Sequence, residues 1–371
     1  MKQIMTNIFP NLYLHGLKIT NCFSVSQIST ISDYFEKDLK KAFFSKSTDL
    51  EKCGIQSETI YLFLKNRDLV DLDYEKFQLS QHNIGIISYL DKAYPALLRE
   101  ISSPPPLLYY RGTLPEPNQL CVSVVGTRKM SSYGRSATHT ICDDLVANNV
   151  TIVSGLAYGI DATAHKVAVE HKKPTIAVVA CGLRDEDLYP RANSQLARNI
   201  LNTGGTLLSE YPIATPALKQ YFIARNRIIA GLSMGTVVVE SSLKSGALIT
   251  ARYAIEQNRS VYAVPGSIFS SESAGPNSLL KLGAKAITSG LDILEDLNIT
   301  YSAIVPEPAL YTPKERLVVQ CLSAEPKTTS ELIKDTNLTT AELVATLTFL
   351  EMKGIVKNLG AQQYMLLKTI V

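Results

Sequence analysis

The chain has 371 residues, 46% of them hydrophobic and 19% charged, a size and balance that fit two or three packed domains and exclude a disordered tail. Its formal net charge of +3, from 37 basic and 34 acidic residues, is too small to point to nucleic acid by itself. No apolar run approaches the roughly 18 residues of a membrane helix, the longest lying near 175–181, and the start shows no basic-then-apolar signal pattern, so a cytoplasmic protein without membrane contact is expected.

Residues 1–82 carry helical periodicity, as in Leu39, Ala42 and Phe43 and again in Ile60, Leu62, Phe63 and Leu64, with polar breaks at 45–49 and 65–71. Ser47, Thr48 and Asp49 offer capping oxygens ahead of a helix, and no group of catalytic residue types gathers there. This segment reads as a small helical domain. From residue 83 the pattern changes to short apolar runs at 84–88, 107–110, 121–125, 151–153, 175–180, 206–208, 236–239 and 261–264. Helical stretches at 135–147, 161–170, 193–201 and 246–256 lie between them. Continuous Val, Ile and Ala runs alternating with amphipathic helices predict a doubly wound, mainly parallel α/β sheet over 83–298, whose ligands bind at the carboxyl ends of its strands. A linker over 299–311 holds Pro306 and Pro308. The last segment, 312–371, predicts helices at 313–322, 330–335 and 339–352 and then a hairpin of 355–359 with 364–367 around Gly360, the order of a winged helix.

Nine of the 13 arginines fall within 120–300, and arginine suits forked phosphate contacts, so an anion site is expected there. Three predicted strands end in loops of small and polar residues: Gly126-Thr127-Arg128, Ser154-Gly155 and Cys181-Gly182. Glycine lets backbone amides approach an anion, and the following helix adds its positive end. The same glycines also serve ordinary tight turns. Ser131 and Ser132 are placed to cap the helix after the first loop. The dinucleotide fingerprint is absent, with Arg128 where a second glycine belongs, and Lys244-Ser245 lacks the glycines of a phosphate-binding loop.

The five histidines (His15, His82, His139, His165, His171) and six cysteines (Cys22, Cys53, Cys121, Cys142, Cys181, Cys321) are dispersed, without metal-ligand spacing, so neither metal nor cofactor is expected and the thiols read as reduced. Lys219, Phe222 and Arg225 recur every three residues along one side of a helix, two cations flanking an aromatic ring. That set suits an unpaired nucleic acid strand, a base on the ring and phosphates on the cations; a core role for Phe222 with solvated charges fits the spacing equally. Glu240, at a strand end, has no evident acid partner and reads as structural or ligand-orienting, and Asp161 and Glu210 are treated alike.

These segments together resemble the DNA-processing protein A family (DprA, also called Smf). The resemblance rests on Val125-Gly126-Thr127-Arg128 with Ser132-Tyr133-Gly134, 154–161, Tyr189-Pro190-Arg191-Ala192-Asn193, 209–212, 225–233, 240–251 and Val264-Pro265-Gly266, in the family's order over 84–298. It implies an extended Rossmann-like domain that binds single-stranded DNA without hydrolysing nucleotide, forms a homodimer and loads a RecA-type recombinase in natural transformation. The helical segment, of the SAM or helix-hairpin-helix kind, and the winged helix match family architectures. The resemblance places Arg128, Arg191 (often lysine in the family), Lys219 and Phe222 on the strand, with Gly126, Ser154, Gly155, Arg225, Asn226, Lys244 and Gly246 lining or shaping the same pocket. No catalytic residue is implied.

The competing expectation is an enzyme similar to the Rossmann-like nucleoside-monophosphate phosphoribohydrolases, whose Pro-Gly-Gly-x-Gly-Thr-x-x-Glu loop Gly235-Thr236 and Glu240 approach. The spacing is one residue too long, and Leu232-Ser233-Met234 stands where Pro-Gly-Gly belongs. The third helix of the winged segment shows Thr339, Thr340, Glu342, Thr346 and Glu351 with Lys353 near its end, which predicts a protein contact or weak duplex affinity in place of duplex readout.

Overall fold

The computed structural model describes residues 2–300, 312–322, 326–352, 355–360 and 362–366, with 2–10 and 352 as backbone alone. Most of the expected linker, with Pro306 and Pro308, and also Lys353 and Leu367, lie outside the described residues. The chain divides into two compact units, 1–301 and 302–371.

Nine strands of the first unit form one sheet: β1 (Gly85–Ser88), β2 (Leu107–Gly112), β3 (Cys121–Val125), β4 (Thr151–Ser154), β5 (Thr175–Val179), β6 (Thr206–Ser209), β7 (Gly235–Val238), β8 (Ser260–Ala263) and β9 (Lys285–Ala286). Their order is β1-β2-β6-β5-β4-β3-β7-β8-β9. All neighbours from β6 to β9 are parallel, and only β1–β2 and β2–β6 are antiparallel. Strands β3 to β7 are buried at every position, as apolar runs covered on both faces require. One face is covered by the helices Lys219–Gly231 and Gly246–Glu256, whose Ile228, Ile229, Ala247 and Ala251 pack with Val125, Val153, Val178 and Val238. The other is covered by the helices Ser132–Ala147 and Ile160–Glu170, whose Ile141, Leu145, Ala164 and Val167 meet Val122, Val124, Ile152 and Val237.

The fold is thus Rossmann-like and doubly wound. From β3 the chain steps outward through β4, β5 and β6 and then returns to lay β7 on the opposite side of β3, so the winding reverses between β3 and β7. The crevice outside the carboxyl ends of those two strands is where such sheets hold ligands.

Six helices over 2–81 precede the sheet, and they join it in one hydrophobic core. Leu14, Leu17, Phe43 and Phe63 share that core with Ile86, Tyr109 and Leu207 of the strands. His15, fully buried on the helix Lys2–Ile19, meets the Tyr109 hydroxyl at 2.8 Å and the Glu75 carboxylate at 3.1 Å. The helical segment therefore belongs to the same compact unit as the sheet, where the sequence sets it apart as a domain. The capping expected of Ser47, Thr48 and Asp49 does not occur: these residues start the helix Ser47–Lys52, and Lys46 holds the cap position without a side-chain bond. No helix of the described residues is long and apolar enough to cross a membrane.

The second unit holds the helices Pro313–Cys321, Thr329–Thr336 and Thr340–Met352 and three short strands, β10 (Lys327–Thr328), β11 (Val356–Gly360) and β12 (Gln363–Leu366), ordered β10-β12-β11. Val318, Leu332, Leu343, Leu347, Leu350 and Val356 form its core. It is a winged helix, and Thr312 and Thr328 each close a capping box with a glutamate three residues on.

Candidate functional site

A cavity of about 290 Å³ opens at the winding reversal. The loop after β3 contributes Gly126, Thr127 and Arg128, the loop after β4 contributes Ala157, the helix Ile160–Glu170 contributes Asp161, and the helix Lys219–Gly231 contributes Phe222, Arg225 and Asn226. Ser242, Ser245, Gly246 and Thr250 close it from β7 and the helix that follows.

The loop after β3 is held from below. Thr127 N–H donates to the Glu240 carbonyl at 2.7 Å, and a Cβ on Gly126 would lie 2.5 Å from Ile160 Cγ1, so only glycine lets the loop sit this close. Ser131 caps the helix Ser132–Ala147, and its N–H and hydroxyl both donate to the Glu240 carboxylate, at 2.9 and 2.5 Å. Glu240 is therefore a buried anion bound to a helix start, which fits its structural reading. The amides of Lys129 and Gly155 are likewise taken up inside the protein, by the Thr127 hydroxyl and the Asp161 carboxylate. The Thr127, Gly155 and Gly182 amides of these loops are thus engaged internally, and the exposed side chains around them are a further means of holding an anion.

Those side chains converge at Phe222. The Arg128 guanidinium lies over its ring, 5.4 Å from the centroid, and the Tyr189 ring meets it edge-on at 5.8 Å and 70°. Lys219, one turn earlier on the same helix, and Arg191, at the start of the short helix Arg191–Asn193 after β5, are both exposed, and so is Lys244 before Gly246. Arg128, Arg191, Lys219 and Lys244 have no ion-pair partner among the described residues, whereas Arg184, Arg198, Arg227, Arg252 and Arg259 all do. These four side chains thus carry positive charge without an ion pair among the described residues, as Lys129, Arg135 and Lys166 also do.

The structure divides the residues the sequence grouped. Gly126, Arg128, Phe222, Arg225, Asn226 and Gly246 line the cavity; Arg191, Lys219 and Lys244 are exposed outside its lining. Ser154 is fully buried, its hydroxyl donating to the Val124 carbonyl at 2.6 Å, so it holds two strands together. Gly155 makes room for Arg225, whose guanidinium would lie 2.6 Å from a Cβ there.

Arg225 is the larger departure. It is buried and donates to the carbonyls of Gly155, at 2.9 Å, and Val178. It thus does not flank Phe222 as a second cation; Arg128, from another loop, takes that place. Residues three apart on a helix are rotated by about 60° at each step, so Lys219 faces water, Phe222 the rim and Arg225 the interior. Beside Arg225, burial raises the Asp161 carboxyl above its ordinary value while the guanidinium opposes that shift, and burial lowers Arg225 in turn. Asn226 ties the helix to its neighbour by donating to the Gly246 carbonyl at 3.2 Å.

Of the residues quoted for the competing enzyme, Glu240 lies beneath the loop after β3, whereas Gly235 and Thr236 lie inside β7, where the Thr236 hydroxyl bonds that of Ser123 at 2.7 Å. Among the rim residues that sequence reasoning did not single out, Tyr189 stands next to the Phe222 ring; its signal was its place beside Pro190 and Arg191. Thr127, Ser245 and Thr250 fall within the quoted motifs, but only the fold shows that they line the cavity.

The family model of DNA recombination-mediator protein A matches residues 85–298, and that of the DprA winged helix domain matches 305–362. The chain is similar to Protein Smf of Escherichia coli, with 40% identity over 240 residues, 64% of either chain. That match spans just under two thirds of the relative's own length. It is also similar to DNA processing protein DprA of Streptococcus pneumoniae, 43% identical over 271 residues, 73% of this chain and 92% of the relative. Among solved structures, that of DNA processing protein A from Streptococcus pneumoniae superposes with a TM-score of 0.68 at 35% identity, covering 77% of this chain and 97% of that one. A structure of DNA processing protein A from Helicobacter pylori, described for its single-stranded DNA binding mode, gives 0.52 at 29% identity, covering 60% and 99%.

Proposed function

Because this chain belongs to the DNA recombination-mediator protein A family, we propose that it is a non-catalytic, cytoplasmic single-stranded DNA-binding protein that acts in DNA processing, as a homodimer, by handing the strand to a RecA-type recombinase during transformation. The observation that supports this most directly is the set of unpaired cations around one aromatic ring: Arg128 on Phe222, with Lys219, Arg191 and Lys244 on the surrounding loops and helix ends.

In this reading the strand lies across the carboxyl rim of the sheet. Arg128, Lys219 and Arg191 meet phosphates, and a base lies against Phe222, so that every base is tolerated and none is read by its edge. The guanidinium now over Phe222 turns to a phosphate as a base takes its place on the ring. Asn226 and the neighbouring Asp161 and Arg225 keep the helix and loops in position beneath. Both oxygens of Glu240 are engaged by Ser131, which leaves that carboxylate no free role as a general base.

The test is the double variant Arg128→Gln with Lys219→Gln. Both side chains are exposed, so the thermal midpoint should stay while affinity for an oligonucleotide such as dT falls by about a hundredfold at physiological salt. The log–log slope of affinity against salt should lose about 1.4, at roughly 0.7 for each phosphate contact removed. Affinity unchanged in that variant would overturn the reading, and release of free base from a nucleoside monophosphate would favour the phosphoribohydrolase in its place.

A further inference from the structure

We propose that Tyr189 is a second base platform beside Phe222, and that the angle between the two rings makes the site select strands whose neighbouring bases separate easily, so that oligo-dT is bound more tightly than oligo-dA. This rests on the reading of the rim as a single-strand site and adds a specificity determinant to it.

The Tyr189 ring is 45% exposed and its hydroxyl has no hydrogen-bond partner among the described residues, so a flat apolar face is presented to solvent without an evident structural use. Its position is fixed from both sides. Upstream, Asp187 accepts from Arg184 at 2.9 and 2.8 Å and from the Ala214 amide at 3.0 Å. Downstream, Asn193 donates to the carbonyls of Leu156 and Ala157 at 2.8 and 3.2 Å. Leu188 between them is buried. The backbone on either side of Tyr189 is therefore anchored, and its ring stands at 70° to that of Phe222.

Exposed cations stand at both ends of this pair, Arg128 and Lys219 at Phe222 and Arg191 two residues beyond Tyr189, so a backbone that follows the charges passes both rings. A stacked strand keeps successive bases nearly parallel. Two bases lying flat on rings that differ by 70° cannot remain stacked on each other, so binding at both platforms opens one base step. Adenine steps resist this most and thymine steps least. Preferences of this kind come from stacking strength and backbone flexibility without any reading of base edges.

The experiment measures the affinities of the full chain for oligo-dT and oligo-dA of equal length at one salt concentration, for the natural protein and for Tyr189→Leu and Tyr189→Phe. The natural protein should favour dT by about tenfold; Tyr189→Leu should lose about tenfold on dT and bring the ratio to within about twofold, because the kink is no longer imposed. Tyr189→Phe keeps the ring and should retain both values, a rescue that general loss of structure would not give. A dT to dA ratio that is the same in the natural protein and Tyr189→Leu, or a Tyr189→Phe variant as weak as Tyr189→Leu, overturns the inference. If in that case Arg128→Gln with Lys219→Gln still abolishes dT binding, the single-strand reading stands and only the role of Tyr189 falls; failure of the natural protein to bind dT brings down both.

Discussion

Arg225 and Phe222 stand three positions apart and serve opposite ends of the same helix turn, one under the sheet's loops and the other on the rim. Removing the guanidinium leaves Asp161 buried without its neighbouring positive charge and two carbonyls without a donor, so Arg225→Met should cost about 3–5 kcal/mol in urea unfolding. A variant as stable as the natural protein would show that the buried charge is unimportant. Below Arg225, burial and then the guanidinium charge lower His165 from 6.5 to about 3. Between those values the unfolded chain binds a proton that the folded chain does not. Stability from this group is thus complete above pH 6.5 and declines as pH falls towards 3, by up to about 1.4 kcal/mol per pH unit. Asp161 acts oppositely, its raised carboxyl favouring the folded state as pH falls. His165→Gln should accordingly flatten the acid limb of urea midpoints between pH 6.5 and 4, and an unchanged limb would contradict the assignment. Residue types and motif positions were legible in the sequence, but burial was not: Ser154, Gly155 and Arg225 stand in the motifs as residues that line or shape a pocket and are buried in the structure, because helix rotation and strand pairing, not spacing, decide which way a side chain points.

Elements were easier to read than residues. Strands β3 to β7 announce themselves because each is a continuous apolar run with a glycine or polar turn behind it, and the helix Gly246–Glu256 begins and ends at the predicted positions. The two-residue strands β9 and β10 carry no periodic signal, and the antiparallel pairing of β1 with β2 and β6 depends on which edge the chain returns to. The start of the helix Ser132–Ala147 shows a join that no single segment contains. Ser131 caps the helix from within, and the Glu240 carboxylate, from the end of β7, accepts from the same serine. A Cβ on Gly134 would lie 2.1 Å from that carboxylate, so the first turn is shaped around it. Glu240→Gln loses the charge at the helix start and one acceptor, and should lower stability by about 1–2 kcal/mol. Because the carboxylate faces the helix and not the cavity, single-strand affinity measured at saturating folded protein should change by less than about twofold. A large loss of affinity with unaltered stability would instead make Glu240 part of the binding surface.

At the scale of the whole molecule, every residue proposed to meet the strand lies in the unit 1–301, on loops gathered by the reversal between β3 and β7. The winged helix has its own core and a third helix whose outward positions are Thr340, Ala341, Val344, Ala345, Thr348, Phe349 and Glu351. None of these is a cation, and Val344 and Phe349 are 44% and 59% exposed. Duplex readout needs basic and amide side chains on that face. Two lysines of the unit are already paired, Lys314 with Glu342 at 2.8 Å and Lys327 with Asp335 at 2.7 Å, which lowers the charge offered to a phosphate backbone further. Shortening the chain to residues 1–301 should therefore leave affinity for oligo-dT, and its salt slope, within about twofold of the full chain, because the slope counts phosphates engaged and none is assigned to the winged helix. Duplex of equal length should bind both forms weakly, since paired bases cannot lie against Phe222 or Tyr189. Measured by fluorescence anisotropy at two or more salt concentrations, a slope that drops by one or more on truncation would place phosphate contacts on the winged helix and extend the binding surface beyond the sheet's rim.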